Sequence, residues 1–221
     1  MTCTILARCP RTEQLGIAVV SSLIAVTSRC AFVRAQVGAV VVQSMADPRL
    51  GPAALELLAA GYRPEAVLKA FARTEENFEY RQVALVIGSG ATAVHTGAEA
   101  IGPCGAAEGE GCAALGNRLV DTDLPAVMVR AFASAGGELG DRLMTALQAA
   151  VAEGGAGKVR AAGLLIAERE PWPLVDLRID WTGGDPVAEL GHLWHLWRPQ
   201  MRDYLDRALD PATSPEVRER D

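Results

Sequence analysis

Two short runs near the start of the chain, Ile17-Ala18-Val19-Val20 and Ala39-Val40-Val41-Val42, are apolar at every position. Side chains alternate between the two faces of a strand, so a strand apolar on both faces has to be covered on both. The longest apolar stretch, Leu15 to Val26, is interrupted by Gly16, Ser21 and Ser22, and it falls short of the roughly 18–20 residues that cross a bilayer. These runs are therefore interior strands, and no membrane partner is expected. They belong to four predicted strands, Thr2–Arg8, Leu15–Ser21, Cys30–Arg34 and Val37–Ser44, with Pro10-Arg11-Thr12-Glu13 as the first turn.

After Pro48 the period changes. Leu50, Ala54, Leu57 and Leu58 recur at helical spacing up to Gly61, and Pro64 opens a second helix with Val67, Leu68 and Phe71. Arg81–Ile87 and Thr92–Thr96 read as a hairpin across Gly88-Ser89-Gly90, followed by a glycine-rich loop from Gly97 to Gly111. Asp121 is placed to cap a helix bearing Leu124, Val127, Ala131 and Phe132, and Gly136-Gly137 separates it from one bearing Leu139, Leu143 and Leu147. Strands are expected at Ala161–Glu168 and Leu174–Ile179, then a closing helix from Pro186 with Leu190, Leu193, Trp194 and Trp197 on one face. Strand blocks alternating with helix pairs differ from strict βαβ alternation and predict an α+β fold of two stacked sheets with helices outside. At 221 residues the chain suits one domain, taken as 1–210, with a polar tail at 211–221.

A net charge of −6 argues against a protein that holds nucleic acid. Five cysteines (Cys3, Cys9, Cys30, Cys104, Cys112) form no C-x-x-C pair, and no secretory signal is recognised, so reduced thiols and a cytoplasmic location are expected. Neither a nucleotide-binding loop, a zinc signature nor a serine-hydrolase elbow occurs, so no metal and no cofactor are expected. His192 and His195 lie on or beside the tryptophan face of the closing helix and read as structural. His95 ends a strand before the glycine-rich loop, a place for a hydrogen-bonded strand histidine or for a group that touches substrate.

The start of the chain carries a chemical possibility of its own. Thr2 follows Met1, which is commonly trimmed before a small residue, and a strand begins at once. Trimming places a threonine hydroxyl beside a free α-amine, whose pKa of about 7.7–8.0 lets it act as the base for that weak nucleophile.

The segments TCTILARCPRTEQLGIAVVSS, AVTSRCAFVRAQVGAVVVQSMADPRLGP, ALELLAAGYRPEAVL, YRQVALV, HTG, ALGNRL and VDLRID together resemble the bacterial family named domain of unknown function 1028, over roughly residues 2–205. That family is placed among the N-terminal-nucleophile hydrolases. The resemblance implies a four-layer αββα sandwich of two mainly antiparallel sheets and hydrolysis of an amide bond by the N-terminal residue.

By the same resemblance Thr2 is the nucleophile, with Cys3 and Thr4 at positions where an aromatic and a serine are common. Ser21 and Ser22 lie where groups touch the nucleophile, Arg34 where a basic residue lowers a neighbour's pKa by charge or is only a solvated strand end, and Gln43, Ser44 and Asp47 at the end of the fourth strand. Asp47 could instead merely start the turn before the helix. Asn117 of Gly116-Asn117 matches a residue that either donates to an oxyanion or sits in a left-handed turn. At Gly154–Gly163 the chain departs from the family's Gly-Asp-x-Arg-Gly-x-Gln-Ser: Gly155, Gly157 and Arg160-Ala161 replace the aspartate, the arginine and the Gln-Ser.

The expected function is hydrolysis of a small amide, lactam, imide or carbamoyl substrate. The departure at Gly154–Gly163 motivates a rival, a catalytically reduced small-molecule-binding protein or partner subunit of another enzyme. A thiol reaction at Cys104 or Cys112 is a third alternative. The apolar closing helix predicts packing across the sandwich or a homodimer or larger assembly.

Overall fold

The computed structural model describes residues 1–152 and 157–214. Among the described residues ten strands form two antiparallel sheets. The six-stranded sheet contains β1 (Thr2–Arg8), β2 (Leu15–Ser21), β7 (Cys104–Gly109), β8 (Cys112–Asn117), β9 (Ala161–Ala167) and β10 (Val175–Ile179), in the order β10-β9-β2-β1-β8-β7. The four-stranded sheet contains β3 (Ala31–Arg34), β4 (Gly38–Ser44), β5 (Arg81–Ile87) and β6 (Thr92–Thr96), in that order. The helices are α1 (Val26–Cys30), α2 (Leu50–Ala59), α3 (Pro64–Thr74), α4 (Leu124–Ser134), α5 (Leu139–Ala152), α6 (Pro186–Trp197) and α7 (Met201–Leu209).

Three apolar layers hold the sandwich together. Leu6, Ile17, Val41, Val86 and Leu115 fill the space between the sheets. Val40, Val42, Val83 and Leu85 pack outward against Leu55, Val67 and Phe71 of α2 and α3. Ile5, Val20, Leu164 and Ile166 pack on the other side against Phe132, Leu143 and Leu147 of α4 and α5. The wholly apolar runs in β2 and β4 thus lie between a facing sheet and a helix pair, as four layers require. Among the described residues no helix is long and apolar enough to cross a membrane.

The segment 97–111 is not one loop. Its second half is β7, an edge strand of sequence CGAAEG that lacks the branched and aromatic residues by which strands are recognised. The small residues are required by α4: a Cβ on Gly105 would come within 2.2 Å of the Thr122 carbonyl oxygen. The short α1 also lacks a sequence signal, because Ala25 starts it from a left-handed conformation (φ 51°) with no side-chain cap. Asp121 does not cap α4 directly. Its Oδ1 accepts from the Asp123 amide, and Asp123 occupies the cap position. α6 begins as expected, with Asp185 Oδ1 accepting from the Val187 and Ala188 amides ahead of Pro186.

The tryptophans of α6 are satisfied within the chain. Trp194 is buried and donates to Asp141 Oδ1 at 2.9 Å, and Trp197 donates to the Leu174 carbonyl at 3.1 Å. The packing expectation holds, and with it goes the main sequence ground for an interface on this face.

Candidate functional site

Registration of three neighbouring strands creates the site. Thr2 of β1 pairs with Ser21 of β2 on one side and with Asn117 of β8 on the other. Cross-strand partners share a face, so Ser21, Thr2 and Asn117 form a row at the end of the six-stranded sheet. A second row in the facing sheet, Gln43, Gln82 and Thr96, arises in the same way from β4, β5 and β6. Five of them, all but the exposed Thr96, are buried in a layer otherwise filled with aliphatic side chains, where polar groups persist only if hydrogen-bonded.

The two rows satisfy one another. Gln82 Oε1 accepts from Gln43 Nε2 at 3.1 Å and from Asn117 Nδ2 at 3.2 Å, while its own Nε2 donates to Thr96 Oγ1 and to the Gly116 carbonyl. Gln43 Oε1 accepts from Thr4 Oγ1 at 2.7 Å, and Gln43 Nε2 also reaches the Thr2 carbonyl at 3.5 Å. Gln43, expected to touch substrate, is 1% exposed and ties the sheets together beneath Thr2. Gln82 escaped the sequence reading because only the paired register reveals that it faces Asn117.

Around Thr2 the hydroxyl chemistry is ordered by Met1. Thr2 Oγ1 lies 3.0 Å from Ser21 Oγ. Ser21 Oγ donates its single proton to the Met1 carbonyl at 3.0 Å and accepts from the Leu23 amide at 3.1 Å, so Thr2 is the donor in its contact with Ser21. The Met1 amine donates to Ser22 Oγ at 2.9 Å, and the Met1 carbonyl also accepts from the Ser22 amide and hydroxyl. Burial, reinforced by the positive charge of Arg118, holds the Met1 amine below its ordinary value of 8.0. Cys3 points to the opposite, helix-packed face and is fully buried, and burial pushes its thiol up to about 12. It is not poised as a rival nucleophile.

The remaining expected site residues disperse. Arg34 does not join the group. It pairs with Gly38, at the far end of β4 from Gln43 and so roughly 16 Å away along the strand, and its guanidinium meets Glu56 at 2.9 Å in solvent. His95 lies one register position from Thr96, on the outer face of its sheet, stacked on Phe78 with ring centroids 4.1 Å apart. Asp47 is at the same end as Thr2 but is engaged with Arg49, whose hydrogen bonds hold its carboxyl down at about 2. Ser44 Oγ accepts from the Ile101 amide, bringing the 97–103 segment to this end of the sandwich, whereas Gly109 to Gly111 lie at the other end, beside Arg8. Of the altered segment Gly154–Gly163, residues 154–156 lie outside the described residues. Arg160 donates to the Thr182 and Gly183 carbonyls, and its own amide donates to the Ser21 carbonyl at 2.7 Å. Among the described residues no three His, Cys, Asp or Glu side chains converge as a metal site would need.

Compared with known families, residues 2–190 match a family of unknown function, DUF1028. The chain belongs to that family. This DUF1028 chain is similar to the crystal structure of a Silicibacter pomeroyi protein assigned to the same family, at 27% identity and a TM-score of 0.81, covering 89% of this chain and 88% of that one. A second similar structure is Anbu, an ancestral β-subunit from Yersinia bercovieri, at 11% identity and a TM-score of 0.41, with 99% and 100% of the two chains covered. No curated protein matches. Membership of DUF1028 accounts for the fold but names no reaction.

Proposed function

We propose that this protein is an N-terminal-nucleophile amidohydrolase in which Thr2, freed by loss of Met1, cleaves a small amide, lactam, imide or carbamoyl compound. The observation that carries the reading is the row Ser21, Thr2 and Asn117, with the Thr2 hydroxyl 3.0 Å from Ser21 Oγ. Without Met1, Ser21 loses the carbonyl to which it donates, and its proton becomes available to Thr2. The α-amine of Thr2 takes the hydroxyl proton while Oγ1 bonds to the amide carbon. Asn117 Nδ2 uses one N–H on Gln82 and has a second for the developing oxyanion. The C–N bond then breaks, the amine's proton goes to the leaving nitrogen, and water cleaves the resulting ester to regenerate the threonine.

The test pairs intact mass with turnover. Protein lacking Met1 should release amine from an amide substrate, Thr2→Ser should keep part of that activity, and Thr2→Ala should lose it while unfolding at the same temperature. Full activity in Thr2→Ala, or in protein whose mass still includes Met1, refutes the mechanism. A second reading is favoured by the seating of Met1, which is 8% exposed with amine and carbonyl both bonded. If Met1 is kept, the protein is a binding protein or a partner subunit.

A further inference from the structure

The loops at the Thr2 end of the sandwich are tied together by hydrogen bonds. The Ile101 amide donates to Ser44 Oγ, the Arg118 amide to the Ile101 carbonyl, and the Leu119 amide to the Pro103 carbonyl. On the other side the Ala25 amide donates to the Asp180 carbonyl, joining the β2–α1 loop to the end of β10. These loops leave Leu23, Ile24, Met45, Ile101, Val120 and Trp181 exposed around a polar floor. Large apolar side chains gathered at one end of a sandwich are a mark of a ligand-binding rim.

Within that rim the arginines differ in what they do. Arg81 donates to the Met45 carbonyl, Arg160 to the Thr182 and Gly183 carbonyls, and Arg29 to the Ile24 and Ala25 carbonyls. Among the described residues the guanidinium of Arg118 has neither a hydrogen-bond nor an ion-pair partner, and it is exposed. Arg118 directly follows Asn117, the register partner of Thr2. Its backbone is left-handed at φ 52°, an uncommon state for a side-chain-bearing residue. Two neighbouring features hold it there: the bonds to Ile101 and Pro103, and Gly102, where an added Cβ would approach the Arg118 Cα to 3.2 Å. Its charge also reaches the amine of Met1.

Building on the proposed amidohydrolase function, we infer that Arg118 is the specificity-determining residue of the site and that the substrate is an amide carrying one carboxylate on an otherwise apolar frame. The fork of a guanidinium matches a carboxylate through two parallel N–H bonds. One guanidinium balances a monoanion, whereas a phosphate dianion is left under-compensated by it. Leu23, Ile24, Val120 and Trp181 take the apolar part.

The experiment compares glutaranilic acid, an anilide bearing one carboxylate, with pentananilide, the same anilide without it. Binding to the Thr2→Ala protein is measured by calorimetry, so the result does not depend on turnover. The carboxylate compound should bind about tenfold or more tightly, with the preference lost in Arg118→Met, partly kept in Arg118→Lys and weakened by salt. Equal affinity for the two anilides, no binding of either, or a preference that survives Arg118→Met overturns the inference. Hydrolysis by the wild-type protein is scored separately. Turnover of both anilides at the same rate leaves the amidohydrolase standing and removes the role of Arg118. The binding preference without any turnover does the reverse.

Discussion

Replacing Gln82 with methionine isolates the energetic role of the polar bridge between the sheets. Methionine matches the length and volume of glutamine closely enough to avoid a large cavity, so the change is chiefly the loss of four hydrogen bonds. Asn117 Nδ2 loses its acceptor outright and Gln43 Nε2 keeps only the long 3.5 Å contact with the Thr2 carbonyl, and both residues are nearly inaccessible, at 4% and 1% exposed. A buried donor left without a partner costs about 1–3 kcal/mol, so the orphaned Asn117 donor alone puts the loss at about 1–3 kcal/mol. That is a large fraction of the roughly 5–15 kcal/mol by which a domain is stable. Urea unfolding followed by intrinsic fluorescence should show a lower midpoint with an unchanged slope. A loss under about 1 kcal/mol would mean that the two rows are not held by Gln82, and the argument that Asn117 is positioned from beneath would fall with it.

In protein that keeps Met1, Arg118→Met removes a positive charge that opposes protonation of the Met1 amine, so that amine should titrate at higher pH by NMR, and an unmoved titration counts against proximity of the two groups. Arg34→Ala should leave turnover intact and stability within about 1 kcal/mol, since its contact with Glu56 is solvent-exposed. A turnover defect would return Arg34 to the site. The Glu168 carboxyl is held below its ordinary 4.5, mainly by the Arg202 hydrogen bonds and further by Gln14. Its stabilising contribution is therefore present above pH 4.5 and lost as the pH falls through the lowered value, so Glu168→Gln should flatten the acid fall in melting temperature. Cys3, with its thiol raised to about 12, should resist iodoacetamide in the folded protein and react on denaturation.

The layer order was legible because the apolar runs of β2 and β4 demand cover on both faces, and that requirement is local to each run. Thr2, Ser21 and Asn117 could be named from motif resemblance, yet their adjacency comes from pairing between strands distant in the chain. Gln82 shows the limit. Nothing in YRQVALV marks it as buried and bridging, because only the partner register assigns it a face. Arg34 shows the converse: sequence placed it on the right strand pair, and the direction of β3 then carried it to the wrong end. β7 was missed because packing against α4 selects glycine and alanine there, erasing the usual strand composition.

If Thr2 acts as proposed, the placement of β1 in the middle of its sheet sets a time limit on maturation. Met1 is accessible while the nascent chain is short, but once β8 closes beside β1 it is covered, with its amine on Ser22 and its sulfur 3.6 Å from Cys3 Sγ. An aminopeptidase grips an extended, free end, and the closed sheet offers none. Removal of Met1 is then a race between trimming and the arrival of residues 112–117 at the growing sheet. Under the proposed mechanism, chains that lose the race would be folded, stable and inert, and two preparations of the same protein would differ in specific activity through the history of their synthesis alone. An appended N-terminal purification handle would decide that race before it begins.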